Sequence, residues 1–398
     1  MKKKILFLMP SMHLGGAERS LIGLLDAFDY EAYEVSLFLY RHEGELLDLI
    51  PDQVRVLPQN DRYTHFDTPI VRELFSRHFL FGLSRLFAKI GVFAQRILFR
   101  KELDVWATMQ ATSRSLQWLL PKLEGDYDLA ISFLGIPDVL LNRVSARKKA
   151  AWNHTDYTRL RPFKAYDRAL YRQLDWIVSV SENCTAQFLS VYPEFQEKAI
   201  TIENILSSRL LTDSLGNEIP EWPGASSWKL LSIGRFSEAK NFDNVPAICR
   251  MIREQGPDAN WYLIGYGGDE PLIRQKIREY RMDGHVFLLG KKNNPYPYIK
   301  ACDVYVQPSR YEGKSVAVRE AQILGKPVVI TAYETSGSQL EDGFDGLIVP
   351  MDNRGCAEGI VRLLRDPQKM REVAEHTGAR DYTNAEEIEK LYRMMEQE

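Results

Sequence analysis

Residues 303–330 read DVYVQPSRYEGKSVAVREAQILGKPVVI and contain one complete strand–helix–strand unit. The apolar run Val304–Val306 predicts a buried strand. A helix is then predicted to begin near Ser315 and to end at Gly325, because glycine commonly follows the last turn of a helix. The run Val328–Ile330 predicts the next strand. Such a unit is the building block of a parallel sheet that is covered by helices on both faces.

Similar apolar runs recur on either side of this unit, and most lack period-2 alternation, as is typical of strands buried on both faces. The first half of the chain has Ile5–Met9, Val35–Tyr40, Val54–Leu57, Leu129–Phe133, Ala150–Trp152, Trp176–Val180 and Ile200–Ile202. The second half has Leu230–Ile233, Trp261–Ile264, Val286–Leu289, Val304–Val306, Val328–Ile330 and Leu347–Val349. Helical patterns separate several of these runs, for example Glu18–Phe28. The class predicted is α/β.

The stretch Ser207–Ser227 separates the two series and predicts a linker or surface loop rather than an element, because it is rich in proline, glycine and serine. We therefore predict two doubly wound, Rossmann-like domains, 1–207 and 208–398, that face each other across a cleft. The last helix is a candidate to return to the first domain. Ligands of such sheets bind beyond the carboxyl ends of the strands, so the predicted cleft is the expected site.

Composition excludes several classes of protein. With 398 residues, 45% hydrophobic residues and a net charge of -3, the chain is neither disordered nor a strongly basic nucleic-acid binder. Its four cysteines, Cys184, Cys249, Cys302 and Cys356, form no CxxC pair, which argues against a disulfide framework or a zinc knuckle. The run Ile5–Met9 is too short for the core of a signal peptide. We expect a cytoplasmic protein, or one that rests on the inner face of the cell membrane without crossing it.

One segment, at about residues 72–120, departs from the strand and helix alternation and is basic and amphipathic. Between Leu74 and Lys101 there is no acidic residue. On a helix, four cations fall within about 60° of one another, and apolar residues occupy the far side. The cations are Arg85, Lys89, Arg96 and Arg100, and the apolar residues are Phe87, Ile90, Ala94 and Ile97. This pattern fits a helix lying in a membrane surface, and it equally fits an ordinary helix whose polar face is solvated.

Glu312 is the first candidate for chemistry, since it lies on the loop that follows strand Val304–Val306. The helix N-terminus beside it, at Gly313 and Ser315, offers free backbone N–H groups to an anion such as a diphosphate. Glu320 lies one to two turns inside the same helix. The alternative is that Glu312 merely caps the helix and that Glu320 is solvated.

Arg235 and Lys240 are the second candidates, on the loop after the first strand of the second domain. A guanidinium fork and an ammonium charge can converge on one diphosphate and neutralise it without a metal. No DxD pattern follows a strand and no His/Cys cluster has metal spacing, so we expect neither a metal nor a cofactor. The alternative is that both are ordinary surface charges.

Taken together, these motifs resemble glycosyltransferase family 4, the group 1 transferases. The resemblance rests on Gly234-Arg235…Lys240, on Glu312 and Glu320 at the E-x7-E spacing, and on Gly325-Lys326-Pro327. Supporting fragments are Leu263–Gly267, Phe287–Gly290, Gly15-Gly16-Ala17-Glu18-Arg19, Trp152–Tyr157 and Glu203-Asn204-Ile205. They occur in the family's order and cover nearly the whole chain.

The resemblance implies a GT-B fold, a nucleotide-sugar donor held mainly by the second domain, an acceptor held by the first, and retention of anomeric configuration. It implies catalytic roles for Glu312, His154, Arg235 and Lys240. It implies donor contacts from Gly15, Gly16, Arg235, Lys240, Gly265, Tyr266, Lys291, Glu312, Lys314, Ser315, Val316 and Glu320. Gly313-Lys314-Ser315 departs from the family's commoner Gly-Phe or Gly-Leu, which leaves the identity of the donor open.

The function expected is that of a retaining glycosyltransferase that uses a nucleotide sugar, with a UDP-sugar favoured. The product would be a surface or capsular polysaccharide or a glycolipid, built on a glycan or lipid-linked acceptor. A nucleotide-sugar epimerase of GT-B fold and a non-catalytic sugar-nucleotide-binding subunit stay open. A dinucleotide-dependent oxidoreductase is disfavoured because Gly15-Gly16 lacks a GxGxxG arrangement.

Overall fold

The computed structural model describes residues 2–98, 103–213, 215 and 220–396. These residues form two compact units. The first unit comprises the chain up to Asn204 together with the C-terminal segment that begins at Glu386. The second unit is Ile205–Ala385. The boundary expected from the sequence lay between residues 207 and 208.

The first unit contains a seven-stranded sheet in which every strand corresponds to one predicted run. The strands are β1 (Lys3–Met9), β2 (Tyr33–Leu39), β3 (Arg55–Val56), β4 (Asp126–Ser132), β5 (Ser145–Asn153), β6 (Trp176–Ser179) and β7 (Ala199–Thr201). All pairs are parallel, in the order β3-β2-β1-β4-β5-β6-β7. Consecutive residues of β1 are fully buried from Ile5 to Met9, which is why its sequence does not alternate.

Helices flank this sheet on the connections between strands. They are α1 (Gly16–Asp26), α2 (Ile70–Leu74), α3 (Phe79–Leu98), α4 (Val105–Leu116), α5 (Asp138–Arg143), α6 (Lys164–Tyr171) and α7 (Glu182–Val191). Short 3-10 helices lie at Leu47–Leu49, Asp61–Phe66, Gln117–Leu119, Tyr157–Arg159 and Pro193–Phe195. The arrangement confirms the predicted doubly wound α/β architecture.

The second unit repeats the same strand order with six strands. They are β8 (Trp228–Ile233), β9 (Ala259–Ile264), β10 (Val286–Gly290), β11 (Val304–Gln307), β12 (Val328–Thr331) and β13 (Leu347–Val349), ordered β10-β9-β8-β11-β12-β13. Its helices are α8 (Ser208–Asp213), α9 (Val245–Glu254), α10 (Glu270–Glu279), α11 (Tyr296–Ala301), α12 (Val316–Ile323), α13 (Ser336–Gln339), α14 (Asn353–Leu364) and α15 (Pro367–Ala379). Further 3-10 helices lie at Glu238–Lys240 and Ala385–Glu387. All six predicted strands are present.

The predicted linker is wrong in one part, because Ser208–Asp213 forms the short helix α8. The Ser207 hydroxyl accepts a hydrogen bond from the Leu210 amide at 2.8 Å and so satisfies a backbone donor of the first turn. Residues 216 and 217 of the same stretch lie outside the described residues.

The last helix, α16 (Ile388–Glu396), belongs to the first unit. The ring of Tyr392 stacks on Tyr33 with centroids 4.4 Å apart, and the Asp29 amide donates a hydrogen bond to its hydroxyl at 2.9 Å. Lys148 of β5 donates to the Met394 carbonyl at 3.3 Å. Helix α16 is therefore anchored to the first unit by ring packing and hydrogen bonds.

The basic segment at about residues 72–120 contains α3 and α4, and one of its four cations is not on the exposed face where the sequence placed it. Arg85 is buried, and its guanidinium donates to Glu73 Oε2 at 3.1 Å and to the carbonyls of His65 and Thr68. Arg85 turns inward because Glu73 of α2 is a buried carboxylate, and a buried carboxylate needs a cation close to it. Lys89 and Arg96 are exposed. Arg100 and Lys101 lie outside the described residues.

The apolar face of α3 is exposed, although no described helix combines the length and the apolar character that crossing a membrane would need. Phe87 is 67% exposed and Phe93 is 62% exposed. The other exposed apolar residues of the helix are Phe79, Leu80, Ile90, Ile97 and Leu98, and Val71 and Phe75 precede it. We call this set the α3 face. Contiguous apolar surface of this kind commonly marks an interaction site.

Glu73 holds a buried network together beneath α3. His65 Nδ1 lies 3.0 Å from Glu73 Oε1, and Arg85 contacts the other carboxylate oxygen. Burial lowers the pKa of His65 to about 4, so the imidazole is neutral at pH 7 and donates to the carboxylate. Burial raises the pKa of Glu73, whereas the Arg85 charge and its hydrogen bond oppose that shift. The guanidinium is therefore the charge that offsets the buried carboxylate.

We expect Arg85→Met to lower the free energy of unfolding by about 3–5 kcal/mol, since it leaves a buried carboxylate without its cation. Arg96→Met on the same helix should change it by less than about 0.5 kcal/mol because that side chain is exposed. Urea denaturation of both variants measures the difference. Equal losses would contradict the assignment of Arg85 to the interior network.

Candidate functional site

The candidate site of the second unit lies where the order of the strands reverses. In the sequence β10-β9-β8-β11-β12-β13, the connections from β8 and β11 lead to opposite ends of the sheet. Ligands of doubly wound sheets bind in the crevice that this reversal opens at the carboxyl edge. Arg235 follows β8 and Glu312 follows β11, so both lie on the loops that border this crevice.

Lys240 and Glu312 form an ion pair that joins these two loops. Lys240 Nζ donates to Glu312 Oε1 at 2.5 Å, and the Ser309 hydroxyl donates to the same oxygen at 2.6 Å. The lysine side chain is 19% exposed and the glutamate side chain 11% exposed, so water screens the pair only in part. The N-terminus of α12 has no side-chain cap. The alternative in which Glu312 merely caps the helix is therefore wrong.

A second ion pair braces the same two loops further from the crevice. Arg310 binds Asp243 in a bidentate way, with distances of 3.0 and 2.8 Å. Its amide donates to the Ala239 carbonyl at 2.8 Å. The two loops that carry Lys240 and Glu312 are thus also joined to each other by the Arg310–Asp243 ion pair and by a backbone hydrogen bond.

Arg235 is exposed, and its guanidinium has no hydrogen-bond or ion-pair partner among the described residues. The neighbouring Gly234 leaves room for Lys240, because a Cβ at that position would stand 3.0 Å from the lysine side chain. An unpaired guanidinium beside a paired ammonium is suited to an incoming diphosphate, which can engage both.

Glycines allow the loops after β8 and β9 to pack backbone against backbone. Gly265 has φ +149°, and a Cβ there would lie 1.9 Å from the Gly234 carbonyl oxygen. At Gly267, with φ +158°, a Cβ would lie 2.2 Å from the Phe236 carbonyl oxygen. The Phe236 amide donates to the Tyr266 carbonyl at 2.8 Å. A side chain at either glycine would separate the loops.

Tyr266 and Lys291 lie at the same carboxyl edge, on the loops after β9 and β10. The Lys291 ammonium stands 5.5 Å from the centroid of the Tyr266 ring, within the range of a cation–π contact. Tyr266 is about half exposed. Its ring is available to stack on a planar group.

The N-terminus of α12 differs in one respect from the expectation. The Ser315 amide donates to Gln339 Oε1 at 2.7 Å, so it already has a protein partner where the sequence predicted a phosphate. Lys314 is half-buried beside it, and Val316 is the first residue of the helix. Gln339 belongs to α13, and no motif in the sequence pointed to it.

Glu320 lies inside the second unit and is not solvated, so that alternative is wrong. Only 1% of the residue is exposed, and the Tyr296 hydroxyl of α11 donates to its Oε1 at 3.0 Å. Sequence reasoning missed Tyr296, because this residue lies between Pro295 and Pro297 in a stretch that contains no recognisable catalytic or binding motif. The predicted contact of Glu320 with a ribose stays a prediction.

In the first unit, His154 lies directly after β5 at the carboxyl edge. Its Nε2 lies 2.9 Å from the Phe133 carbonyl, and the two rings have centroids 4.9 Å apart. Burial lowers the pKa of His154 to about 4, although the carbonyl bond favours protonation. The imidazole is thus neutral at pH 7, donates through Nε2, and keeps Nδ1 as an acceptor. It lines a cavity of about 50 Å³ with Asn153 and Gly135.

The glycines Gly15 and Gly16 begin α1 at the carboxyl end of β1. A Cβ at Gly15 would lie 2.1 Å from a carboxylate oxygen of Glu18. The loop before them is held by a second loop, since the Met12 amide donates to the Glu43 carbonyl and the Leu46 amide donates to the Met12 carbonyl, both at 2.9 Å. Sequence reasoning missed this supporting loop.

The structure therefore joins Lys240 to Glu312 and places Arg235 on the same loop as Lys240, with Gly265, Tyr266 and Lys291 on the loops after β9 and β10 at the same edge. Gly15, Gly16 and His154 lie at the carboxyl edge of the first unit. Within the described ranges, no three His, Cys, Asp or Glu side chains come together as a possible metal site.

Comparison with known proteins finds a sequence similarity within the second unit. Residues 222–380 match the family model of group 1 glycosyl transferases. The lipopolysaccharide core biosynthesis glycosyltransferase LpsE of Rhizobium meliloti is 28% identical over 148 residues, 37% of this chain and 42% of the relative. An N-acetylgalactosaminyltransferase of Campylobacter jejuni, named for a diphospho-undecaprenol acceptor, is 28% identical over 206 residues, 50% of this chain and 53% of the relative. The chain spans about half the length of these curated relatives.

Solved structures extend the likeness to the whole chain. HepE of Anabaena, in complex with UDP, has a TM-score of 0.64 and 18% identity over 99% of this chain and 100% of its own. A variant of TarM of S. aureus, in complex with UDP and other ligands, has a TM-score of 0.67 and 15% identity over 99% and 100%. The chain therefore has the GT-B fold of these glycosyltransferases, and residues 222–380 are similar in sequence to group 1 glycosyl transferases.

Proposed function

We propose that this protein is a retaining, metal-independent glycosyltransferase of family 4 that moves a hexosyl or N-acetylhexosaminyl group from a nucleotide sugar to a hydroxyl group. The observation that carries the proposal is the Lys240–Glu312 ion pair beside the exposed Arg235, at the strand reversal of the group 1-like unit. The two cations bind the diphosphate of the donor. Glu312, oriented by Lys240 and Ser309, contacts the sugar that is transferred.

The proposed reaction breaks the bond between the anomeric carbon and the diphosphate and forms a bond from that carbon to the acceptor oxygen. The departing phosphate oxygen takes the proton of the acceptor hydroxyl on the same face, which retains the configuration. Negative charge grows on the diphosphate as the sugar departs, and fixed cations stabilise that charge without reorganising. Gly265, Tyr266, Lys291, Lys314, Val316 and Glu320 bind the remainder of the donor, and neutral His154 accepts a hydrogen bond from a sugar hydroxyl through Nδ1.

UDP is the favoured nucleotide, because the HepE and TarM structures contain it. A thermal-shift panel of UDP-, GDP-, ADP- and CMP-sugars identifies the donor, since a ligand that binds only the folded state raises apparent stability. In the same assay mixture without acceptor, an isomerised donor would favour an epimerase. Binding without turnover on any glycan or lipid-linked acceptor would favour a non-catalytic subunit.

Loss of either cation should slow transfer strongly. We expect Arg235→Ala and Lys240→Ala each to lower kcat/KM for the donor about 100-fold or more, the scale found when one fixed donor to a developing anion is removed. Arg278→Ala, an exposed arginine on α10, is the matched control and should leave kcat/KM unchanged. Steady-state transfer assays measure the effect. Rates within a factor of two or three of wild type would remove both cations from the mechanism.

The pH profile of kcat/KM for transfer should show no change near pH 6.5 that is due to His154, because the pKa of His154 is lowered. Because burial lowers its pKa to about 4, the imidazole stays neutral from about pH 5.5 upward and gains a proton only toward pH 4. We expect the His154 contribution to kcat/KM to be flat above about pH 5.5 and to fall toward pH 4. The profile is compared with that of His154→Asn. A limb at pH 6–7 that the variant abolishes would contradict a buried, neutral imidazole.

The acceptor is proposed to be a glycan or lipid-linked glycan of a surface or capsular polysaccharide or glycolipid, handled at the cytoplasmic face of the membrane. The C. jejuni relative is named for a polyprenol diphosphate acceptor, which supports the lipid part. The α3 face also supports a lipid-linked acceptor, because its exposed aromatic residues lie on the same helix as the exposed cations Lys89 and Arg96. An in-plane membrane helix needs this combination of apolar and cationic sides.

Charge removal tests the membrane contact. Each cation near an anionic surface contributes about 1 kcal/mol, so Lys89→Gln with Arg96→Gln should weaken partitioning onto phosphatidylglycerol vesicles roughly 30-fold. Lys122→Gln with Lys164→Gln, two exposed lysines of the same unit outside α3, is the control and should have little effect. Cosedimentation measures both. Equal binding by the wild type and the α3 variant would discard the membrane contact.

A further inference from the structure

A second crevice lies in the first unit, at the corresponding reversal of its strand order. In β3-β2-β1-β4-β5-β6-β7, the connections from β1 and β4 diverge. A cavity of about 170 Å³ opens between them, lined by Pro10 after β1, Tyr40 after β2 and Leu134-Gly135-Ile136 after β4. The roof comes from α4 and from the 3-10 segment Asp61–Phe66 with Asp67. None of its lining residues belongs to the diphosphate crevice of the second unit.

The size of this cavity limits its ligand to about one sugar ring. A hexose has about a dozen heavy atoms, and a disaccharide has about twice that number. A cavity of about 170 Å³ is of the size of one sugar ring, and the rest of a longer glycan would extend beyond it.

The lining combines an aromatic surface with hydrogen-bonding groups. The rings of Tyr40 and Phe66 stack with centroids 5.2 Å apart and planes 25° apart, which gives an extended apolar surface. Thr108 and Thr112, one turn apart on α4, also line the cavity and carry hydroxyl groups. A ligand with an apolar ring face and a rim of hydroxyl groups can contact both kinds of lining group.

The charge in the cavity is negative. Asp67 is exposed, and its carboxylate has no hydrogen-bond or ion-pair partner among the described residues. The other charged lining residue, Arg85, is neutralised by the buried Glu73 carboxylate at 3.1 Å. A free carboxylate accepts hydrogen bonds from sugar hydroxyls and repels uronates and phosphates.

We propose that this cavity binds one uncharged hexose residue, the terminal sugar of the acceptor, and that Asp67 determines its specificity by accepting hydrogen bonds from the sugar's hydroxyl groups. The proposal rests on the transferase function proposed above. It assigns the acceptor class that this function leaves open: a glycan that ends in a neutral hexose or N-acetylhexosamine, with any charged or lipid part outside the cavity.

Saturation-transfer NMR on the full chain in the presence of UDP tests this assignment. The probes are the methyl glycosides of glucose, galactose and N-acetylglucosamine, with methyl glucuronide as the charged comparison. We expect at least one neutral glycoside to bind with a millimolar Kd and the glucuronide to bind at least fivefold more weakly. Asp67→Asn should weaken the neutral glycoside about tenfold and reduce the discrimination against glucuronide.

Two further variants make the result specific. Thr112→Val removes a hydroxyl from the cavity lining at nearly constant volume and should also weaken binding of the glycoside. Asp61→Asn, an exposed carboxylate of the same loop that does not line the cavity, should change nothing. The proposal is overturned if no neutral glycoside binds, if glucuronide binds best, or if Asp67→Asn and Thr112→Val leave the affinity unchanged.

UDP binding is titrated calorimetrically on the same samples, which separates the two proposals. A chain that binds UDP but no neutral glycoside refutes the assignment of this cavity and leaves the transferase function standing. A chain that binds a neutral glycoside through Asp67 but no nucleotide refutes the transferase function instead.

Discussion

Both units depend on one constraint, the reversal of strand order next to their first strand. In a parallel sheet all carboxyl ends meet at one edge, and at the reversal two loops leave in opposite directions and cannot fill the space between them. In the second unit this space is bordered by Arg235, Lys240 and Glu312, and in the first by Tyr40, Asp67 and Gly135. Residues far apart in sequence become neighbours there because the sheet, and not the local chain, sets their distance.

The two crevices differ in the charge that they present. In the second unit a paired lysine and an unpaired arginine leave net positive charge beside a glutamate whose position is fixed by Lys240 and Ser309. In the first unit the only cation lining the crevice, among the described residues, is neutralised by Glu73, and Asp67 leaves net negative charge. The positive crevice suits a diphosphate, whereas the negative crevice repels a diphosphate and suits a neutral, hydroxyl-rich ligand.

Arg85 shows how packing can reassign a residue whose sequence pattern suggests another role. By helical spacing it belongs with Lys89 and Arg96, yet it pairs with Glu73 and lines a crevice. The α3 face consequently has fewer cations than the pattern indicated, while its exposed aromatic residues are retained. The buried pair anchors the helix whose outer side is proposed to meet the membrane.

The strands and the class of fold could be predicted from local patterns alone, because buried parallel strands leave uninterrupted apolar runs and helices end at recognisable glycines such as Gly325. The sequence also placed Arg235, Lys240 and Glu312 on loops at strand ends, since that placement is local. Only the tertiary structure decided their partners. The ion pair of Lys240 with Glu312, the Gln339 contact of the Ser315 amide, the burial of Glu320 against Tyr296 and the inward turn of Arg85 all join residues from separate elements. No local pattern encodes such contacts, because they arise from how the sheet and its helices pack in three dimensions.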